Sequence, residues 1–471
     1  MTNILQSLFI VILTPIAKVT GKLNDRVRNI CIQIICISFP LYFVTFYVWL
    51  RHTDLFPEFF HTHNGKHVLG CTLLLLLILF SLDRVPNKVT WNKWIMYPMV
   101  ICGIWMMIIS FIHPVGNGYR AFAMMLIIVY PCIYFIWNNR GDYENLFTPL
   151  CRAVALIGIL YFVSCFVLAA NGNLLIIDGR CTGQVSNANV FGMIGMTASC
   201  ATLYLLVKDR SFNWHFFFYC IALGCGYAIV LMGQSRISTI ICFVNTIITL
   251  FFYLRYSEKS RISAIVLKIL CIVTIVLSMV LLSFFCVDIQ RATEVQINQS
   301  ATTNQEAPSP VEEQSQTVVD RLSVEENATL DTYTAGRYHI WKGYAHYLNL
   351  TGNDFYNSDW EVLTQKRVKH AHNNFLEMAY RFGVPLGILF VLIEVIACIK
   401  ALQYLFVNRQ KRAVLLFPVI FTVVFLFESM LDIATLPFER DAPFYFYLAL
   451  IPMVDNNYQF RSKEIHESNS Q

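Results

Sequence analysis

The sequence predicts an all-α polytopic membrane protein, with about twelve transmembrane helices and one large extracytoplasmic loop carrying short helices. Three observations predict it. The 471 residues are 56% apolar and only 14% charged, where a soluble protein carries about 25% charged residues. The apolar residues come in runs of roughly 18 to 23 with almost no charge, a length that crosses the hydrocarbon core of a bilayer. Basic residues gather in every second connection between those runs. Lipid offers the backbone no hydrogen-bond partner, so the runs must satisfy themselves as helices. A transmembrane barrel would show alternating segments of about ten residues, and none is seen.

Spans are expected near 29–50, 67–82, 94–112, 119–137, 151–170, 189–207, 215–232, 236–254, 265–287, 384–403, 413–431 and 438–454. With the N-terminus in the cytoplasm, Lys18, Lys22, Arg26 and Arg28 are inside. So are Arg84, Lys88, Lys93, Arg140, Arg152, Lys208, Arg210, Arg255, Lys259 and Arg261. Arg409, Lys411, Arg412, Arg461 and Lys463 continue the pattern, so both termini are expected in the cytoplasm. Residues 1–28 read as an interfacial segment or a poorly formed first span. No basic residue precedes the apolar stretch, and no small-residue cleavage site follows it. The expected organisation is 1–287 with spans one to nine, an outer loop over 288–383, spans ten to twelve over 384–455, and a cytoplasmic tail over 456–471.

The outer loop changes character midway. Its first half is rich in Gln, Asn, Ser, Thr and Glu, with Pro308 and Pro310, and disorder is expected over 292–330. In the second half, Tyr338, Ile340, Trp341, Tyr344, Ala345 and Leu348 suit one face of a helix. Phe375, Leu376, Met378, Ala379 and Phe382 suit another, which runs up to Gly383.

Composition also excludes functions. A net charge of +5 with no basic arm gives no support for nucleic-acid binding. The fifteen cysteines fall almost entirely in or beside apolar runs and form no CxxC pair, which reads as small apolar residues in helices. His370 and His372 lack Cys or carboxylate company at metal spacing, so no metal and no cofactor is expected.

The topology puts several charged residues at the outer face: Arg51, Arg120, Arg180, Arg236, Arg337, Lys369, His370 and His372. Arg51 and Arg120 read as snorkelling side chains. Arg236 opens a span on the side that usually lacks basic residues, and there an anionic partner is expected, lipid phosphate included. Arg180 has Asp178 nearby as an alternative partner. Arginine's planar fork binds diphosphate bidentately, and histidine accepts a proton near neutral pH. Together they suit transfer of a glycan from a lipid diphosphate to a hydroxyl acceptor.

A resemblance adds to this. The segment His372-Asn373-Asn374-Phe375-Leu376, continuing to Gly383-Val384-Pro385-Leu386-Gly387, resembles the loop-to-helix motif of the bacterial O-antigen ligase and polymerase superfamily. Arg180-Cys181-Thr182-Gly183 followed by Asn187-Ala188-Asn189 is similar to the family's Arg-x-x-Gly and Asn-Pro-Asn stretch, with Ala188 in place of the proline. Gly233-Gln234-Ser235-Arg236 looks like its Ser-Arg at the head of a span, and Gly336-Arg337 with Trp341 like its Gly-Arg-x-x-x-Trp. The family implies metal-independent transfer from an undecaprenyl-diphosphate-linked glycan donor, outside the bacterial cytoplasmic membrane.

Carried onto this chain, His372 is the expected general base on the glycan acceptor, and Arg180 and Arg236 hold the diphosphate. Arg337 is a second-tier diphosphate or loop-positioning residue, and Trp341 a core residue of the loop helix. Asn187, Asn189 and Asn373 are loop caps or substrate contacts. Glu428 is a candidate to orient His372 or pair an arginine, and Glu377 to pair Arg381 at i,i+4. The leading expectation is a polymerase of lipid-linked repeat units of O-antigen, capsule or exopolysaccharide. A ligase delivering finished glycan to lipid A-core or another acceptor shares donor and site. A flippase of lipid-linked glycan, or a membrane sensor, is the reading from another class. A chain-length regulator stays open as a further partner.

Overall fold

The computed structural model describes residues 2–44, 62–113, 116–177, 180–183, 185, 187–209, 211–256, 262–302, 337–353, 371–406, 413–431, 436–437 and 440–456. Arg51, Asp178, Lys369, His370 and most of the 292–330 segment lie outside the described residues. The described chain is helical apart from one small hairpin, and it divides into two compact units. One comprises the described residues up to Pro149 and those from Arg337 onward; the other spans Leu150–Thr302.

The first unit contains α1 (Thr2–Thr20), α2 (Asp25–Val44), α3 (His63–Ser81), α4 (Lys93–Ile112), α5 (Asn117–Met124), a π-helical turn Met125–Val129, and α6 (Tyr130–Arg140). After the loop come α12 (Arg337–His346), α13 (Asn374–Phe382), α14 (Val384–Phe406), α15 (Leu416–Leu431), α16 (Asp441–Ala449) and α17 (Ile451–Val454). Its core is aromatic: Phe147 stacks on Phe417 at 4.0 Å, Phe425 on Phe446 at 4.1 Å and Tyr130 on Tyr447 at 4.8 Å.

The second unit contains most of α7 (Glu144–Ala170), the hairpin β1 (Leu175–Ile177) and β2 (Arg180–Gly183), α8 (Ala188–Lys208), α9 (Trp214–Gly233), α10 (Arg236–Tyr256) and α11 (Ile262–Thr302). Small residues bring α8 and α9 close: a Cβ on Gly195 would meet the Gly226 carbonyl at 2.5 Å.

Among the described residues, 10 helices are long and apolar enough to cross a membrane. All but one fall on expected spans; the exception is Asn3–Thr20, the stretch expected to lie at the interface or to form a poor first span. The expected spans 29–50, 67–82 and 438–454 fall on helices outside that set: α2 ends at Val44 within the described residues, and Gly65–Ser81 and Asp441–Val454 are shorter apolar helices. The number of spans is therefore not fixed at twelve.

Helix α11 also differs from expectation. It runs on to Thr302, through the first part of the segment expected to be disordered. Its polar extension is anchored. Buried Gln290 accepts from the Leu174 N–H at 3.0 Å and donates to Glu294 at 2.6 Å.

The connection after α12 interlocks with the end of α13. Val384 N donates to Asn349 O at 2.8 Å, and Asn353 N donates to Tyr380 O at 2.9 Å. Gly352 (φ +83) and Gly383 (φ +90) sit where the strands of chain touch. A Cβ on Gly352 would collide with the Arg381 carbonyl, and one on Gly383 with the Leu350 carbonyl. Gly141 (φ +73) is equally left-handed but has open space around it. Gly141→Ala should therefore cost only the backbone term of about 1–2 kcal/mol. Gly383→Ala should lower the thermal midpoint of the detergent-purified protein distinctly further. Equal losses in the two variants would contradict the interlock.

Candidate functional site

In the second unit the Gly233–Arg236 motif makes a tight passage between two helices. Helix α9 ends at Gly233, and Gln234 takes a left-handed backbone (φ 48) as its cap, its N–H donating to Leu231 O at 3.1 Å. Ser235 stands immediately before α10: its carbonyl accepts from Thr239 N at 3.0 Å, and its Oγ accepts from Ser238 Oγ at 3.0 Å. Arg236 is the first residue of α10. A helix head presents unbonded N–H groups and a partial positive charge, so Arg236 adds a full cation to an electropositive end. Arg236 is half-buried and makes no hydrogen bond or ion pair among the described residues.

The hairpin and the head of α8 close around this passage. A Cβ on Gly192 would meet Ser235 Cβ at 2.6 Å, so glycine is what lets α8 approach. Asn187 caps α8, its side chain accepting from Asn189 N at 2.8 Å. Arg180, on β2, donates from Nε and Nη2 to the Gly233 carbonyl at 3.1 and 3.0 Å, and from Nη2 to Asn189 Oδ1 at 2.8 Å. Arg180, Asn187, Asn189 and Arg236 thus come together. Arg180 ties the corner with two of its nitrogens, a role that the expectation of diphosphate holding did not include.

In the first unit the candidate base, His372, lies in the turn that precedes α13. His372 has φ 49; with Gln234 it is one of two non-glycine residues with positive φ among the described residues. Such conformations cost energy and persist where the surroundings hold them. Here Ala371 N donates to Glu377 Oε2 at 2.9 Å on one side of His372. On the other side, Asn373 caps α13 by accepting from Leu376 N at 3.0 Å and donates to Met430 O at 3.1 Å. Asn374 donates to Ser429 Oγ at 3.1 Å. His372 itself is half-buried.

The supports of this turn are buried. Glu377 pairs with Arg381 at i,i+4, as expected, and both are buried. Arg381 lies over the Tyr119 ring at 5.1 Å, and Trp105 Nε1 donates to Phe382 O at 2.8 Å. Glu428 is fully buried on α15, next in sequence to the Ser429 that Asn374 holds. Arg337 opens α12, whose Tyr344 packs with Ala371 and Tyr380. Burial pushes the Tyr344 hydroxyl's pKa well up, with the Glu377 charge adding to it.

Three features of these sites escape a sequence reading: the left-handed Gln234, the engaged fork of Arg180, and the second bond of Glu377. A non-glycine residue directly after the terminal glycine of a helix signals the first faintly. The other two arise from contacts made only on folding.

Residues 218–391 match the family model described as O-antigen ligase. No curated protein matches the chain. The matched segment contains Arg236, Arg337, His372 and Asn373, while Arg180, Asn187 and Asn189 precede it. That segment, in which an arginine heads one helix and a histidine turn heads another, carries the match and supports the O-antigen ligase and polymerase superfamily.

Proposed function

We propose that the chain is a membrane glycosyltransferase that polymerises undecaprenyl-diphosphate-linked repeat units of a surface polysaccharide, without a metal, at the extracytoplasmic face. The observation that carries this is the contrast between Arg236 and its neighbours: a cation at a helix head with no protein partner among the described residues. Free N–H groups and a guanidinium at a helix head suit a phosphate ligand. His372, held left-handed by bonds on both sides, supplies a base in a fixed place.

In this reading the acceptor hydroxyl oxygen attacks C1 of the donor's first sugar. Its proton passes to the His372 imidazole. The bond from C1 to the diphosphate oxygen breaks, and undecaprenyl diphosphate leaves with the electron pair. Arg236 stabilises the charge that develops on it, and Arg180 keeps the passage in place. The description of the matched family favours a second reading with the same donor chemistry: ligation of finished glycan to another acceptor.

The test is complementation of a deletion strain, with lipid-linked glycans profiled and the amount of each variant in the membrane measured. His372→Asn is the cleanest probe, because Asn tolerates a left-handed backbone and lacks the imidazole. It should insert normally, lower the rate by roughly 10²–10⁴ and leave single repeat units on the carrier lipid. Long chains stranded on the carrier would select the ligase; a normal profile would remove His372 from the chemistry. Arg236→Ala should lose activity with an unchanged thermal midpoint. Arg180→Ala should lose activity and also stability, by about 1.5–3 kcal/mol for its charge-assisted bonds. A stable, inactive Arg180→Ala would reverse the division of labour proposed for the two arginines.

A further inference from the structure

We propose that Glu377 is a positioning residue for His372, acting through the main chain of Ala371. This rests on the reading of His372 as the base. Glu377 is completely buried on α13, and both of its carboxylate oxygens are engaged. Oε1 accepts from Arg381 Nε, and Oε2 accepts from the Ala371 N–H at 2.9 Å. A pair that served the helix alone would need only the first of these bonds. The second leaves the helix and reaches the residue immediately before His372.

The spacing is unusual for a helix head. In a capping box the acidic residue sits three positions after the cap and bonds the cap's own N–H. Here the cap is Asn373, Glu377 stands four positions after it, and the bond skips both the cap and His372. The cap N–H and the His372 N–H are passed over, and Ala371 is clamped instead. Ala371 is itself fully buried, in a cluster with Tyr344 and Tyr380. On the far side Asn373 and Asn374 bond Met430 O and Ser429 Oγ. The chain is therefore pinned on both flanks of a histidine whose backbone is left-handed. Removing one pin lets the turn relax, and His372 moves relative to an acceptor hydroxyl it must reach within hydrogen-bond distance.

Arg381 makes the clamp a unit. It engages one oxygen of Glu377 and lies against Tyr119, so the carboxylate is oriented with its second oxygen toward Ala371. Burying such a pair adds little to stability compared with apolar residues of similar size, whereas removing one member leaves a lone buried charge. That asymmetry supplies the test.

The double variant Glu377→Met/Arg381→Met removes the pair without leaving a charge behind. It is purified as the full chain in lipid nanodiscs and assayed with lipid-linked donor extracted from the deletion strain. The expected result is a folded protein whose kcat falls roughly 10²-fold, whose donor KM is unchanged, and whose Ala371 amide exchanges faster with solvent. A folded double variant with wild-type kcat overturns the proposal. Should the double variant fail to fold, Glu377→Gln takes its place; its side-chain oxygen serves Ala371 or Arg381 but not both. A lower kcat at constant KM then supports the clamp, and wild-type kcat overturns it. His372→Asn run in parallel separates the two ideas. Activity in His372→Asn removes the base, and inactivity there with full activity in the Glu377 variant removes the clamp alone.

Discussion

A bilayer offers the peptide backbone nothing to hydrogen-bond, and most of this structure follows from that. Each crossing segment must close its own N–H and C=O groups, so the chain becomes helices joined by short connections. Once the interiors of helices are committed to self-satisfaction, the only places left with free main-chain groups are their ends. Several of the candidate site residues stand there. Asn187, Asn213 and Asn373 cap helices, and Arg236 opens one. His372 stands immediately before a cap.

The same constraint explains the two left-handed residues. Gln234 lets α9 stop and α10 begin with Ser235 as the sole residue between Gln234 and the new helix. His372 lets the chain enter α13 while presenting a side chain that the helix itself would otherwise fix. Both turns need close neighbours with little side chain. Gly192 lies against Ser235, and Gly352 and Gly383 interlock beside α13. Shape is thus set by small residues, and charge is placed where the backbone leaves room for it.

Much of this was legible in the sequence. Hydropathy alone located the spans from α4 through α11 and again α14 and α15, because a long uncharged run has no other stable form in lipid. The motifs singled out Arg180, Arg236 and His372, and the structure sets Arg180 beside the helix head that Arg236 opens, through its bonds to Gly233. Composition misjudged residues 292–302, since a helix already nucleated in the membrane extends through polar residues at small cost, and Gln290 ties this one to Leu174. It also undervalued Asn3–Thr20, which is long and apolar enough to cross. The i,i+4 pairing of Glu377 with Arg381 was readable from helical spacing, but its bond to Ala371 was not, because that depends on a backbone conformation at His372 that no periodicity encodes.

Cleavage of a lipid diphosphate by groups at helix heads is the central step proposed for this chain. The direct measurement is release of undecaprenyl diphosphate by the purified protein in vesicles, from isolated lipid-linked repeat units, in the presence of a chelator. Release in step with formation of longer glycan, lost in His372→Asn, is the predicted result. Passage of intact lipid-linked unit across the vesicle membrane, with no diphosphate released, would contradict it.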